Sequence, residues 1–451
     1  MASRNDFASP DITKTLLKYS FPTIIITTVQ ALYSIVDRIY IGKGLGTDAL
    51  AGVTLTFPIF ILTIAMGTLF GQGSGAVISL KLGEGKKAEA EKALGTTFVL
   101  YFLLGSAVAV TGVVLLDPIL RLFGATKVTL PYARRYLAVY LPFMAVDFMA
   151  MGTNGTIRSE GSPRLAMVIA VSGTVLNMLL DPLFLFVFKW GVTGVAWATV
   201  ICRIFTAAVV LYHFARGKRR YLNLKRRNLR INLPLAKKMM AIGTAPFLFN
   251  AATALGGIFH NRMLVAYGGD RALGAWGVVM SVYMVILTPV RGVQFGSQPL
   301  MGYNYGAGKY DRVGKIHVRT CLLAVSMSLV GVAVVHLFGQ GLAGFFSRGD
   351  GELVAMGSRA LVIYTSMMPF MAIQLISVVY FQSVGKPLQA ILLNLGQSTL
   401  YFLIPLFLLP LFWGLDGVWA AAPVSHFLGG LTGILLVLPE LRKLGGKSFF
   451  P

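Results

Sequence analysis

Acidic residues are scarce in this chain: 17 Asp or Glu stand against 40 Lys or Arg in 451 residues. Charged residues make up 13 % and hydrophobic ones 56 %, whereas a soluble domain is about a quarter charged. A soluble globule of this size could not clothe itself with so few charges. Cysteine is nearly absent, and Cys202 and Cys321 both sit in apolar contexts, which excludes a disulfide framework or a CxxC metal knuckle. The five histidines, His213, His260, His317, His336 and His426, form no HxxxH or HExxH spacing. There is also no GxSxG elbow, DxxD pair or nucleotide-binding motif, so a zinc or serine hydrolase, a lipid-modifying enzyme and an ATP-driven pump are disfavoured. The start, MASRNDFASPDITKTLLKYS, mixes acids with bases and leads into an apolar run with no cleavage site, unlike a signal peptide.

What is present is apolar sequence in long runs. A window of about 20 residues, the length that crosses the hydrocarbon core, predicts twelve spans. They fall near 15–39, 50–79, 94–118, 131–155, 163–188, 192–215, 234–262, 273–301, 317–342, 352–378, 388–411 and 416–438. The runs are too long and too uniform for membrane β-strands, so they predict an all-α polytopic membrane protein. The formal charge of +23 lies in short segments between the runs, where it sets topology rather than binding nucleic acid. With both termini in the cytoplasm, 27 of the 40 basic residues fall on the inner side. The densest segment joins the two halves: Ala215 to Lys238 carries ten Lys or Arg and no acid, suiting a topology anchor at the headgroups or a lipid contact.

The chain repeats itself. A shift of 223 residues pairs GSGAVISLKLGEGKKAEAEKALGTT from Gly73 with GSQPLMGYNYGAGKYDRVGKIHVRT from Gly296. Gly73, Ser74, Gly83, Gly85, Lys86, Lys92 and Thr97 recur as Gly296, Ser297, Gly306, Gly308, Lys309, Lys315 and Thr320. The same shift pairs DPLFLFVFKWGVTGVAWA from Asp181 with IPLFLLPLFWGLDGVWAA from Ile404. Two homologous six-helix lobes are predicted, 1–222 and 223–451, joined by the basic linker at about 215–238. An offset of six spans gives both lobes the same orientation and a pseudo-twofold axis along the membrane normal. Such a pair of lobes with a cleft between them suits alternating access.

The lobes differ in their acids. The second half keeps Asp270, Asp311, Asp350, Glu352, Asp416 and Glu440 in loops or at helix ends, while the first places Asp37, Asp147 and Asp181 within or near apolar spans. A carboxylate at membrane depth is costly unless neutralised, which makes these residues functional candidates. Asn177 lies four residues before Asp181, hence on the same helical face. The repeat matches Asp181 to Ile404, Asn177 to Leu400 and, with one residue's slip, Asp37 to Asn261. Loss of these groups from one copy points to a Na⁺ or H⁺ site confined to the first lobe, because oxygen ligands suit a hard cation and desolvated carboxylates exchange protons. Asn154, in MGTNG, could join them if its helix is displaced or broken. Asp147 could line a cleft or pair with Arg203. Tyr33, Tyr140, Met144, Met151 and Phe148 could furnish a soft apolar cleft for organic cations. Arg291, with no local acid and with Pro289 and Gly292 beside it, suits a lobe interface, and Pro22 is a hinge candidate because it shares a helix with Asp37.

These features resemble the multidrug and toxic compound extrusion (MATE) family of the MOP superfamily, across essentially the whole chain. VDRIYIGKG in the first span, GQGSGAVISLKLGEGKKAEAEK after the second and GSQPLMGYNYGAGKYDRV after the eighth carry the resemblance. TIRSEGSPRLAM and LNMLLDPLFLF bracket the fifth span and FQSVGKP follows the tenth, with details most similar to the bacterial MepA-like branch. The resemblance implies a monomeric inner-membrane antiporter with no resident cofactor, exporting amphipathic organic cations in exchange for Na⁺ or H⁺. It also implies a coupling site of Asp37, Asn154, Asn177 and Asp181. A flippase of lipid-linked precursors is the alternative, but only Arg203 and Arg291 lie at depth to meet a pyrophosphate.

Overall fold

A computed structural model describes residues 7, 9–123, 125–217, 221–346 and 351–445. Arg4, Lys218–Arg220 of the linker, Asp350 and both chain ends, placed on the cytoplasmic side by the sequence, lie outside the described residues. Among the described residues all regular structure is helical, as long apolar segments must be where no water can satisfy a backbone amide.

The first half runs through α1 (Ile12–Thr54), α2 (Phe57–Gly83), α3 (Lys87–Val114), the short α4 (Leu116–Leu122), α5 (Leu130–Tyr140), α6 (Met144–Ser159), α7 (Pro163–Pro182) and α8 (Gly191–Arg216). After the linker come α9 (Leu233–Gly306), α10 (Tyr310–Phe346), α11 (Gly351–Thr365), α12 (Met368–Ser383), α13 (Pro387–Leu395), α14 (Tyr401–Leu408), α15 (Pro410–Trp413) and α16 (Leu415–Gly445). Nine helices among the described residues are long and apolar enough to cross a membrane, or ten when the bent pair α11 and α12 forms one span. Where the sequence predicts two spans, α9 is two helices that meet at a kink and together cover 74 residues. Its one departure from helical geometry is Gly269 at φ 63°, a left-handed conformation that glycine adopts without steric cost. Pro22 and Pro289 leave the backbone helical around them.

The chain divides into two compact units. The first contains Thr28–Gly243, the second Phe7–Thr27 and the described chain from Thr244 onward. The divisions fall inside α1 and inside α9. In the first unit α6 packs on α2 and α3, and α8 packs on α5, α6 and α7. Tyr101 of α3 lies so close to α6 that a Cβ on Gly152 would come within 1.8 Å of its hydroxyl. Ile41, Tyr136, Tyr140, Met144, Val195 and Val200 belong to one apolar core here.

In the second unit α12 and α14 pack on α16, and α10 on α11 and α12. The first part of α1 is held in this unit: Asn304 donates to the Phe7 carbonyl at 3.1 Å, Arg319 to the Thr13 hydroxyl at 2.8 Å, and Thr27 to the Thr288 carbonyl at 3.2 Å. The unit's interior is aromatic: Trp276 is in ring contact with His260, Trp419 and Tyr364, and Tyr364 with Tyr283.

Candidate functional site

The candidate site of the first unit is built on the end of α7. Asn177 and Asp181 are one turn apart, and the Asn177 amide donates to Asp181 Oδ1 at 3.3 Å. Asp181 is fully buried, and its second oxygen has no hydrogen-bond partner. α7 stops at Pro182 and gives way to a wider turn over Leu183–Val187, then to left-handed Lys189 and Gly191. Local π geometry of this kind frequently marks functional sites.

α1 closes on that turn. A Cβ on Gly44 would come within 2.4 Å of the Leu185 side chain, and Tyr40 meets Phe186 edge-on at 6.3 Å. This packing brings Asp37 close enough to Asp181 for their charges to repel, with Tyr33 and Tyr136 within reach of both. Two carboxylates gathered in apolar surroundings, one of them with an open oxygen, favour capture of a proton or a small cation.

Asn154 is placed otherwise. α6 is helical through it, its amide donates to the Ala166 carbonyl at 3.1 Å, and its oxygen accepts from Arg158. It makes no hydrogen bond to Asn177 or Asp181. Asp147, on the same helix, is buried and forms an ion pair with Arg203 of α8, Nε to Oδ1 at 2.7 Å. The contact is a charge pairing rather than a well-aligned hydrogen bond.

Of the candidate cleft residues, Tyr140 and Met144 are packed in the core, with Thr63 donating to the Met144 sulfur at 3.7 Å. Tyr33 and Met151 are half-buried. In the second unit Arg291 is half-buried beside Tyr283 and has no carboxylate partner among the described residues. Pro22 is buried in the part of α1 that belongs to this unit.

Sequence reasoning missed Glu91 and Glu160. Glu160 is buried, contacts His213 and accepts from the backbone amides of Tyr221 and Leu222, both at 3.3 Å. Glu91 accepts from Asn223 and from Lys225 Nζ at 2.5 Å. Both acids fasten the linker to the first unit. The signal available was that Glu160 is a lone acid among bases near a span end; Glu91, with Glu84 and Glu89 beside it, carried no such mark. His260 was also missed, although at the strict shift of 223 it answers Asp37; it is buried among Trp276, Phe402 and Trp419.

The sequence profile of the MatE family matches residues 22–183 and 246–406, one match for each half of the repeat. The chain belongs to the MatE family. It is similar to the multidrug export protein MepA of Staphylococcus haemolyticus, with 26 % identity over 442 residues covering 97 % of this chain and 96 % of the relative. The same fold occurs in a structure described as the outward-facing conformation of a multidrug resistance MATE family transporter of the MOP superfamily. That match has a TM-score of 0.92 and 23 % identity, covering 97 % of this chain and 98 % of the other. A MATE structure in the bent conformation superposes with a TM-score of 0.92 and 23 % identity, over 99 % of this chain and 100 % of the other. This MatE chain is therefore a multi-pass membrane transporter and not an enzyme.

Proposed function

We propose that this MatE protein is a secondary active exporter of small amphipathic organic cations, exchanging them for Na⁺ or H⁺ by alternating access. The observation that carries the reading is Asp181, fully buried, with one oxygen held by Asn177, the other unpartnered, and Asp37 close by. Binding of the coupling ion relieves the repulsion between the two carboxylates and the cost of leaving a charge dry. Removal of the ion restores a negative centre that attracts a cationic drug. The site cannot favour both cations at once, which yields exchange. Asn154 joins the coupling site when its oxygen leaves Arg158. The likeness to MepA over nearly the full length of both chains supports multidrug export.

Twelve spans follow if α1 supplies one, α9 supplies two across Gly269, and α11 with α12 supplies one. The repeat then makes two lobes of six, and the concentration of basic residues puts both termini in the cytoplasm of a prokaryotic cell, with the protein acting as a monomer.

The test is efflux of an ethidium-like dye from reconstituted liposomes under a Na⁺ gradient and, separately, a pH gradient, with Asp37→Asn and Asp181→Asn proteins alongside. Dye movement under one gradient that is lost in both variants supports the reading and names the ion. Normal efflux by both variants overturns it.

A further inference from the structure

The linker is a docked strap. From Tyr221 to Asn232 its backbone is pinned to the first unit at three places. Glu160 accepts from the amides of Tyr221 and Leu222. Glu91 accepts from the Asn223 amide at 3.3 Å, its side-chain amide at 3.1 Å, and Lys225 Nζ. Thr96 donates to the Arg230 carbonyl at 3.1 Å and accepts from the Asn232 amide at 3.2 Å. Leu222 is fully buried, and Lys87 lies over the Tyr221 ring at 4.5 Å. A Cβ on Gly95 would come within 2.1 Å of the Asn228 carbonyl, so strap and α3 are in direct contact.

The outer face has a different composition. Arg226, Arg227 and Arg230 are exposed and have no carboxylate partner among the described residues. Between and after them Leu229, Ile231 and Leu233 are 42 %, 47 % and 59 % exposed. The strap joins the end of α8 to the start of α9, both parts of helices able to span a membrane, so it runs at the level where those helices leave the bilayer. Guanidinium groups recognise phosphate, and exposed leucines and isoleucine beside them suit acyl chains rather than water. Glu91 and Glu160 are consumed in holding the strap, and its outer arginines stay unopposed among the described residues.

We propose that Tyr221–Leu233 is a docking strip for anionic phospholipid headgroups of the surrounding bilayer, with Arg226, Arg227 and Arg230 meeting phosphate and Leu229, Ile231 and Leu233 entering the acyl boundary. The strip is independent of what the protein transports.

The test is native mass spectrometry of the full-length protein titrated with phosphatidylglycerol and, separately, phosphatidylcholine. Replacing Arg226, Arg227 and Arg230 together by Gln weakens phosphatidylglycerol binding by about fivefold or more, since one basic residue near an anionic surface carries about that factor. Phosphatidylcholine binding stays as it was. The matched control, Lys309, Lys315 and Lys443 together replaced by Gln, retains the wild-type preference. Glu91→Gln gives the sharper outcome: removing an acid strengthens anionic lipid binding if only net charge matters, but weakens it if the strip must be held in place. No change in the arginine variant, an equal loss in the control, or tighter binding by Glu91→Gln overturns the proposal.

Discussion

The amide of Asn177 donates to Asp181 one helical turn later at 3.3 Å, leaving the second carboxylate oxygen of Asp181 buried and without a partner. A fully made network would need no ligand, whereas this one keeps an unpartnered acceptor, the atom proposed above to take a proton or small cation.

Asp181→Asn keeps the shape and removes the charge. Gradient-driven dye efflux falls to the liposome background, while the thermal midpoint holds or rises because an uncompensated buried carboxylate is gone. A midpoint more than a few degrees lower would mean that Asp181 is structural.

Asn177→Ala removes one hydrogen bond to a charged group, worth about 1.5–3 kcal/mol. Loss of the donor leaves the ion-free carboxylate less stabilised, so the coupling-ion concentration for half-maximal efflux falls by about tenfold or more, and the maximal rate at saturating ion is largely kept. Initial-rate measurements across an ion titration separate the two parameters.

The Asp147–Arg203 pair predicts an asymmetry. Asp147 is 1 % exposed and Arg203 30 %. Arg203→Met strands a buried carboxylate and costs about 3–5 kcal/mol. Asp147→Asn leaves a guanidinium that still reaches solvent or a headgroup and costs less. The double replacement Asp147→Leu with Arg203→Met recovers much of the loss, as a thermal double-mutant cycle will read.

Outside the spans, Glu84 lies 3.0 Å from both Lys81 and Lys86. Partial burial pushes its carboxyl up, but the bonds to Lys86 and Lys81 outweigh this and hold it below its ordinary value. The stabilisation is therefore present above the unfolded carboxyl range near about 4.3 and is lost as pH falls through the lower folded value. Glu84→Gln costs no more than about 1 kcal/mol at neutral pH, and the difference disappears in acid. Paired thermal melts between pH 3 and 7 check it.

The Asn177–Asp181 contact was legible in sequence because helical periodicity alone puts i and i+4 on one face. The grouping of Asp37 with Asp181 was legible only through their joint loss from the second repeat; the fit of Leu185 against Gly44 is long-range and has no periodic signature. Asn154 was drawn toward the site by its type, but Arg158, one turn on in the same helix, takes its oxygen. Glu91 and Glu160 sat among bases that read as topology signals, and only the folded linker shows what they hold. The division inside α1 is marked by no charge or glycine in YSFPTIIITTVQALYSIV, only by Thr27 and Thr28 in an otherwise mostly apolar run.

The divisions at Thr27–Thr28 and Gly243–Thr244 both fall inside helices, and the linker stays with the first unit. A coil between bodies acts as a string, transmitting tension only. A hydrogen-bonded helix resists bending and twisting, and stores work when deformed. The two units are thus joined by a pair of elastic rods, with Pro22 and Pro246 close to the crossings as the softest points in each. Torque applied along either helix is carried across the division by backbone stiffness.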